Sequence, residues 1–305
     1  MKTITALLMA TLIMCPCSSI MAKNPAASVT DKAQKASIST IKDLDNGRLY
    51  VMDYTADYKL DKMLQQNVNS VDTMLAFVGR ELLGAAKPAP GAIDAGCSAF
   101  AGRTEEGKPI YGRNFDYKMK MTAVMVRTAP KDGYRSIGMA DAGWVGYDIG
   151  SLSDGKSDLS AAVAMPYLIM DGMNEKGLAV SVLKLDGKPT HQRTGKPQIT
   201  TTAALRLMLD KAANVDEALA LLEKYDMNSS METANFHFLL SDADGKNVMS
   251  LLSLVSQPET EEATSMTQWS VVYNLHDLTA QVAIRRNYDK LFNFTLADLS
   301  GKAKI

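Results

Sequence analysis

The sequence has few of the residues that build metal sites and disulfides, and little net charge. Three cysteines and three histidines occur in 305 residues. The histidines lie far apart, and no Cys-x-x-Cys or His-x-x-x-His spacing occurs, so we expect no metal and no other cofactor. The formal net charge is -1, which gives no electrostatic basis for holding a phosphate backbone. We therefore expect no nucleic-acid partner.

Long hydrophobic runs are also missing. The longest apolar run near the start, residues 4–14, follows Lys2 and is too short to span a bilayer, so we expect no stable membrane span. This pattern predicts a signal peptide over residues 1–22, removed on export to the periplasm or the medium. A lipoprotein is the weaker interpretation, because Met14 and Pro16 are unfavourable immediately before a lipidated cysteine.

Loss of the predicted signal peptide would leave Cys97 as the single cysteine, because Cys15 and Cys17 both lie inside residues 1–22. No intramolecular disulfide is then expected. A lone cysteine is by itself most often a small buried apolar residue. Cys97 differs in its context, since it begins a β-type run directly after Gly96 and a Gly- and Pro-rich loop, 84–91, precedes it.

Apolar periodicity predicts an α+β chain, and 46% hydrophobic content is enough for one large domain or two small ones. Residues 23–37 look flexible, and the absence of a Gly-rich phosphate loop argues against a doubly wound parallel sheet. The predicted helices are 60–83, 201–213 and 215–225. The predicted strands are 49–54, 97–102, 109–115, 122–128, 178–185, 236–241, 269–274 and 282–286. The three strands between residues 97 and 128 are predicted to form an antiparallel meander.

Two charged residues are expected beside Cys97. A hairpin partner strand carries Arg113 and Asp116, and strand pairing can return both side chains to the cysteine. A cation beside a thiol lowers its pKa, and a carboxylate can hold an ammonium group. If the bond between Gly96 and Cys97 were cut, the new α-amino group, with a pKa of about 8, would let Cys97 supply both nucleophile and base.

Five motifs in the same order carry a family resemblance. They are Gly96-Cys-Ser, Tyr111-Gly-Arg-Asn-Phe-Asp-Tyr117, Asp171-Gly-Met-Asn-Glu-Lys-Gly-Leu178, Phe236-His-Phe-Leu-Leu-Ser-Asp-Ala-Asp-Gly245 and Thr267-Gln-Trp-Ser-Val-Val-Tyr-Asn274. In this order they resemble the choloylglycine hydrolases and their linear-amide relatives, which include bile salt hydrolases, penicillin V acylases and acid-ceramidase-like amidases.

The resemblance implies a fold, a reaction and a set of site residues. The fold is the N-terminal-nucleophile αββα sandwich of four layers, and the reaction is hydrolysis of the C–N bond of a small linear amide. Cys97 matches the nucleophile, Arg113 the basic residue beside it, and Asp116 the carboxylate that holds the freed amino group. The backbone N–H of Lys184 matches an oxyanion donor. Either a homo-oligomer or a processed heterodimer is implied.

The same resemblance divides the chain and shows a departure. Residues 23–96 would be a propeptide or N-terminal segment with a strand and a helix, and residues 97–305 the hydrolase domain. Residues 246–266 contain neither a Thr-Asn pair nor an arginine, so the second oxyanion donor and a distal arginine have no matching position. Part of the usual second half is therefore expected to be missing. A weak or inactive relative that acts as a binding or structural protein is the alternative.

Substrate recognition is the least determined part of the sequence. Met119, Met121 and Met125 follow the second strand and suit an apolar acyl pocket, whereas Trp144 suits a pocket wall or the core equally. A papain-like Cys-His enzyme would need an imidazole near Cys97. His237 lies in an apolar run that indicates a core histidine, and His276 follows a strand as an ordinary turn residue.

Overall fold

The computed structural model describes residues 29–84, 95–117, 121–185, 188–231, 235–242 and 266–298. The predicted signal peptide, Met119 and residues 246–265 lie outside these ranges. Five α-helices occur in the described residues: α1 (Lys32–Ser39), α2 (Leu60–Leu64), α3 (Val71–Val78), α4 (Thr201–Lys211) and α5 (Val215–Leu222). A π-helical turn, Gly79–Leu83, continues α3, and 3-10 helices span Ala142–Val145, Ser160–Tyr167 and Leu296–Asp298.

Two larger sheets and one small strand pair make up the β structure. The strands are β1 (Lys42–Asp43), β2 (Leu49–Tyr54), β3 (Ala95–Arg103), β4 (Pro109–Tyr117), β5 (Ala123–Thr128), β6 (Ser136–Asp141), β7 (Ile169–Asn174), β8 (Ala179–Leu185), β9 (Gln198–Thr200), β10 (Asp226–Asn228), β11 (Asn235–Ser241), β12 (Met266–Asn274), β13 (Thr279–Ile284) and β14 (Leu291–Thr295). The seven-stranded sheet has the order β1-β2-β5-β6-β7-β8-β11, and the five-stranded sheet has the order β14-β13-β12-β4-β3.

The two sheets pack face to face. Strand β3 of the five-stranded sheet packs on β8 of the seven-stranded sheet. The hydroxyl of Tyr111 on β4 crosses the interface and donates a hydrogen bond to the carbonyl of Leu239 on β11 at 3.0 Å. Side chains that point from β3 and β4 towards the larger sheet are therefore enclosed between the sheets.

Helix α4 covers the outer face of the seven-stranded sheet at β7 and β8. Gly172 on β7 permits this close approach, because a Cβ there would lie 2.7 Å from the carbonyl oxygen of Ile137 and 2.8 Å from a methyl group of Leu209 on α4. The outer face of the five-stranded sheet instead carries a small separate cluster of Ile110, Phe100 and Val272, all from its own strands. The α+β sandwich predicted from the sequence is confirmed, with its helices packed on the larger sheet.

The predicted antiparallel meander is wrong. Strands β3 and β4 form a hairpin in the five-stranded sheet, but β5 lies in the other sheet and pairs in parallel with β2, where Met125 is opposite Val51. A short apolar run indicates a strand without indicating its partner. Strand β5 is buried along nearly its whole length, as strands paired in the middle of a covered sheet are.

Two predictions about the first segment are also wrong. The helix expected over residues 60–83 is interrupted after α2, where Asn67 has a φ of 51° and Ser70 begins α3 by accepting a hydrogen bond from the backbone N–H of Thr73 at 3.2 Å. The segment expected to be flexible up to residue 37 contains α1. Its N-cap, Asp31, accepts from the backbone N–H of Gln34 at 2.9 Å.

The longest α-helix in the described residues, α4, has 11 residues. Crossing a bilayer takes about 20. None of the described helices is long and apolar enough to do so.

Candidate active site

Strand pairing brings Cys97 and Arg113 to one face of the β3–β4 hairpin. Cys97 is directly opposite Phe115, and Arg113 lies two residues further along the same face, opposite Ala99. On the other side of β4, Trp269 of β12 is opposite Phe115, and the two rings stack with centroids 4.2 Å apart. This face points towards the larger sheet, so the cysteine sits between the sheets.

The guanidinium of Arg113 makes the central contacts of the site. Its Nη2 donates to the Cys97 Sγ at 3.1 Å and to the carbonyl of Val182 on β8 at 3.0 Å. Its Nη1 donates to Asp171 Oδ2 on β7 at 2.9 Å. The group is fully buried, and its carbon lies 4.5 Å from the centre of the Phe115 ring. Burial lowers the pKa of Arg113, but negative charge on its neighbours, the Cys97 sulfur when it is a thiolate and the Asp171 carboxylate, raises it by more, so the guanidinium stays protonated.

Burial dominates the electrostatics of the Cys97 thiol and raises its pKa. Arg113 opposes this effect, as does the backbone N–H of Lys184, which donates to the sulfur. The carboxylate of Asp116 raises the pKa further, whereas its backbone N–H lowers it. Because the net pKa shift is upward, Cys97 is a thiol at neutral pH. An attack by its sulfur therefore needs a base.

Asp116 lies where the sequence predicts the anchor of a new amino group. Its register partner on β3 is Gly96, the residue before Cys97. Its carboxylate accepts a hydrogen bond from the Thr267 hydroxyl, and burial raises its pKa. The structure thus places Arg113, Asp116 and Lys184 around the Cys97 sulfur, and the catalytic roles of these four residues stay predictions.

The sequence reasoning missed a buried cluster behind Arg113. Asp171 accepts from Arg113, from the Trp269 indole N–H at 3.2 Å and from the Tyr273 hydroxyl at 2.6 Å. Its two aromatic partners lie in the motif Thr267–Asn274, and Asp171 begins another motif. The two motifs contain these residues, but only the packing of the two sheets shows that Asp171 contacts Trp269 and Tyr273.

The residues predicted to bind substrate are buried in different places. Met125 is fully buried, and strand pairing puts it in one cross-strand row with Met139 and Asp171 on the face between the sheets. Met121 is buried, and its backbone N–H donates to the Gln268 side chain at 3.1 Å. Trp144 is buried in a 3-10 turn, where its indole N–H has no hydrogen-bond partner among the described residues. Their role in binding substrate stays a prediction.

Among the described residues, no histidine makes a hydrogen bond to Cys97. His237 is exposed on β11, so its prediction as a core histidine is wrong: β11 is the edge strand of the seven-stranded sheet, where side chains are less covered. His276 lies in the turn after β12, as predicted, with its Nδ1 2.8 Å from Asp277. Within the described ranges, no group of three or more His, Cys, Asp or Glu side chains could hold a metal ion.

The site places a thiol, a guanidinium and a carboxylate between two stacked sheets. This is the arrangement that the sequence predicts for a sandwich-type hydrolase. Residues 97–252, just over half of the chain, match the linear amide C-N hydrolases of the choloylglycine hydrolase family. The chain belongs to this family. The match begins at Cys97 itself, and it supports hydrolysis of linear amide C–N bonds as the activity.

Two solved structures show a partial likeness to this chain. A conjugated bile acid hydrolase from Clostridium perfringens has a TM-score of 0.47 and 13% identity, over 69% of this chain and 95% of that one. The penicillin V acylase from Agrobacterium tumefaciens has a TM-score of 0.41 and 16% identity, over 67% of this chain and 88% of that one. No curated protein matches the sequence significantly.

Proposed function

We propose that this protein is an exported cysteine amidohydrolase that cleaves linear N-acyl amides through Cys97 after the chain is cut between Gly96 and Cys97. The observation that carries the proposal is the 3.1 Å contact from Arg113 Nη2 to the Cys97 sulfur, together with the Lys184 N–H at the same atom. Two donors at one buried sulfur are what a thiolate, or a negatively charged intermediate beside it, needs.

The cut uses the same sulfur. Cys97 Sγ attacks the carbonyl carbon of Gly96, the C–N bond to Cys97 breaks, and the nitrogen takes up a proton to become the free α-amino group. Water then hydrolyses the thioester, which leaves a carboxylate on Gly96 and restores the thiol. Asp116, the register partner of Gly96, is next to this bond and can hold the amino group as it forms.

Turnover follows the same course with an external amide. The α-amino group of Cys97 takes the thiol proton while the sulfur attacks the substrate carbonyl, and the proton then passes to the leaving amine. Water attacks the resulting thioester and releases the acid. The upward shift of the thiol pKa fits this scheme, because the amine, with a pKa of about 8, serves as the base.

The substrates we propose are small amides with an apolar acyl group, of the bile-salt or penicillin V type. Met121, Met125 and Trp144 are the apolar side chains we assign to the acyl group, together with Met119. A family that acts on linear amides supports the amide bond as the target. The identity of the acyl group is a matter for a substrate screen.

The alternative function is a binding protein that keeps the fold without turnover. It is favoured by the stretch 246–266, which offers no Thr-Asn pair for a second oxyanion donor. Loss of one such donor commonly reduces turnover by about 100- to 1000-fold. A weak hydrolase and a non-catalytic relative therefore have to be separated by experiment.

Intact mass of the purified protein tests the proposal. We expect a chain that begins at Cys97, an uncut chain in Cys97→Ala, and hydrolysis of N-acyl amides by the wild type alone. Cys97→Ser is the matched control, since a hydroxyl can still attack Gly96 but more slowly. A wild-type chain that stays uncut and does not react with iodoacetamide would contradict the proposal and support the binding protein.

A further inference from the structure

The carboxylate of Asp171 occupies the position behind Arg113, on the side away from the Cys97 sulfur. It is fully buried, as is the guanidinium, and the Nη1–Oδ2 distance is 2.9 Å. The Trp269 indole N–H reaches the same oxygen at 3.2 Å, and the Tyr273 hydroxyl reaches the other oxygen at 2.6 Å. Both oxygens are thus held by donors from the five-stranded sheet, while Asp171 itself belongs to β7 of the seven-stranded sheet.

We propose that Asp171 is a positioning residue, which holds the guanidinium of Arg113 in the one orientation that points Nη2 at the Cys97 sulfur. The inference rests on the proposed role of Cys97 as nucleophile. A guanidinium is planar, so fixing Nη1 on a carboxylate also fixes the direction of Nη2. Trp269 and Tyr273 hold the carboxylate, and they do so from the strand next to Arg113.

Asp171 acts on the thiol through Arg113. The charged groups that act most strongly on the thiol directly are Arg113, which lowers its pKa, and Asp116, which raises it. Removing the Asp171 charge while keeping its shape should therefore affect Cys97 mainly by releasing the arginine. Release takes away the strongest hydrogen-bond donor of the sulfur, so the thiol pKa should rise.

A second cluster of an arginine, an aspartate and a tyrosine lies on the outer face of the seven-stranded sheet, under helix α4. Arg206 Nη2 is 2.5 Å from Asp210 Oδ1, both side chains are buried, and the Tyr58 hydroxyl donates to Asp210 Oδ2 at 2.6 Å. Arg206 also donates to Ser136, whose register partner Asn174 contacts α4. This cluster supplies matched controls, because it has the same chemistry and burial but no contact with Cys97.

The experiment is the rate of iodoacetamide alkylation of Cys97 as a function of pH, in chains shown by intact mass to have the same N-terminus. For Asp171→Asn we expect an apparent thiol pKa about one unit higher than in the wild type, and alkylation at pH 7.5 about tenfold slower. Asp210→Asn should leave the profile unchanged. In substrate turnover, Asp171→Asn should lower kcat and leave KM nearly unchanged, because Asp171 does not touch the substrate.

Tyr273→Phe gives a second test if Asp171→Asn does not fold. It removes one donor to Asp171 without altering Arg113, so we expect a pKa shift in the same direction, with alkylation about threefold slower. Tyr58→Phe is its control. A profile equal to that of the matched control, a downward shift, or a wild-type thiol that is not alkylated at all would overturn the inference.

Alkylation does not depend on turnover, which separates this inference from the proposed function. A wild type that is alkylated but neither cut nor active would end the proposed function and leave the effect of Asp171 on Cys97 measurable. A wild type that is cut and active, with no shift in Asp171→Asn, would end only the role assigned to Asp171.

Discussion

Asp141, the last residue of β6, is a buried carboxyl group held by backbone N–H groups. Its Oδ1 accepts from Thr122 at 3.1 Å and from Gly143 at 2.9 Å. Burial raises its pKa to about 7, against the lowering effect of these two bonds. The folded protein therefore keeps a proton on Asp141 at a pH where the unfolded chain has lost it. Since the folded state binds more protons between pH 4 and 7, its stability falls as the pH rises through that range.

We expect Asp141→Asn to remove this pH dependence. Between pH 5 and 8 the free energy of unfolding of the wild type should fall by roughly 2 to 3 kcal/mol more than that of the variant. Urea denaturation at the two pH values measures the difference. Asp277→Asn is the control, because hydrogen bonds from Lys108 and His276 lower the pKa of this exposed carboxyl, which keeps its titration outside the range from pH 5 to 8. Equal pH dependence in the wild type and Asp141→Asn would contradict the prediction.

At the residue scale, local strand pairing predicted which side chains would lie near Cys97. Cys97, Arg113 and Asp116 could be connected from the sequence because hairpin pairing between neighbouring strands is a local rule. Asp171 could not, since its partners are distant in the chain: Arg113 lies 58 residues before it and Tyr273 lies 102 residues after it. His237 misled for a related reason. An apolar run shows that a strand is present, but not that the strand lies at the edge of its sheet, as β11 does.

At the scale of elements, most of the predicted strands and both later helices agree with the structure to within a few residues, but among the pairings the β3–β4 hairpin was predicted correctly, and the partner of β5 was not. Strand β5 was expected beside β4 and instead pairs with β2, which precedes it by about seventy residues. Helix α5 shows the opposite case, because its N-cap signal is local: the backbone N–H of Glu217 donates to the Asn214 side chain at 2.9 Å. Signals within one helix or strand can be predicted from the sequence, whereas pairings between strands that are distant in the chain depend on the whole fold.

Asn174 joins the β7–β8 turn to helix α4. Its Nδ2 donates to the carbonyls of Leu209 at 3.0 Å and Ala212 at 2.7 Å, at the end of the helix. Its Oδ1 accepts from the backbone N–H groups of Lys176 at 3.0 Å and Leu178 at 3.1 Å. These two bonds from the turn to Oδ1 are typical of an asparagine that stabilises a turn. One side chain also satisfies helix carbonyls that α4 leaves without intrahelical partners.

Removal of this side chain should therefore cost more than the loss of an ordinary cap. We expect Asn174→Ala to lower the free energy of unfolding by about 2 to 4 kcal/mol, because buried donors and acceptors lose their partners. Asn214→Ala, at the exposed N-cap of α5, should cost about 1 kcal/mol. Chemical denaturation of both variants gives the comparison. A loss in Asn174→Ala no larger than in Asn214→Ala would show that water replaces these bonds.

At the scale of the whole molecule, the segment before Cys97 is part of the core. Strand β2 lies inside the seven-stranded sheet, between β1 and β5. Its residues Leu49, Tyr50, Met52 and Tyr54 are fully buried. Helix α1 packs on this strand, and α3 packs near the 3-10 helix Ser160–Tyr167. Loss of the whole segment before Cys97 would expose apolar surface that this segment now covers, at a cost of about 25 cal/mol per Å². It would also leave β5 as an unpaired edge strand.

A cut between Gly96 and Cys97 should therefore produce a heterodimer from one chain. We expect the fragment that ends at Gly96 and the fragment that begins at Cys97 to elute together in size-exclusion chromatography under native conditions, and to separate only in denaturant. The uncut Cys97→Ala protein is the control and should elute at the same volume. A mature protein that begins at Cys97 and elutes alone, folded and without the first fragment, would show that the segment is a dispensable propeptide. The burial of β2 argues for retention, because the larger sheet would otherwise lose two of its seven strands.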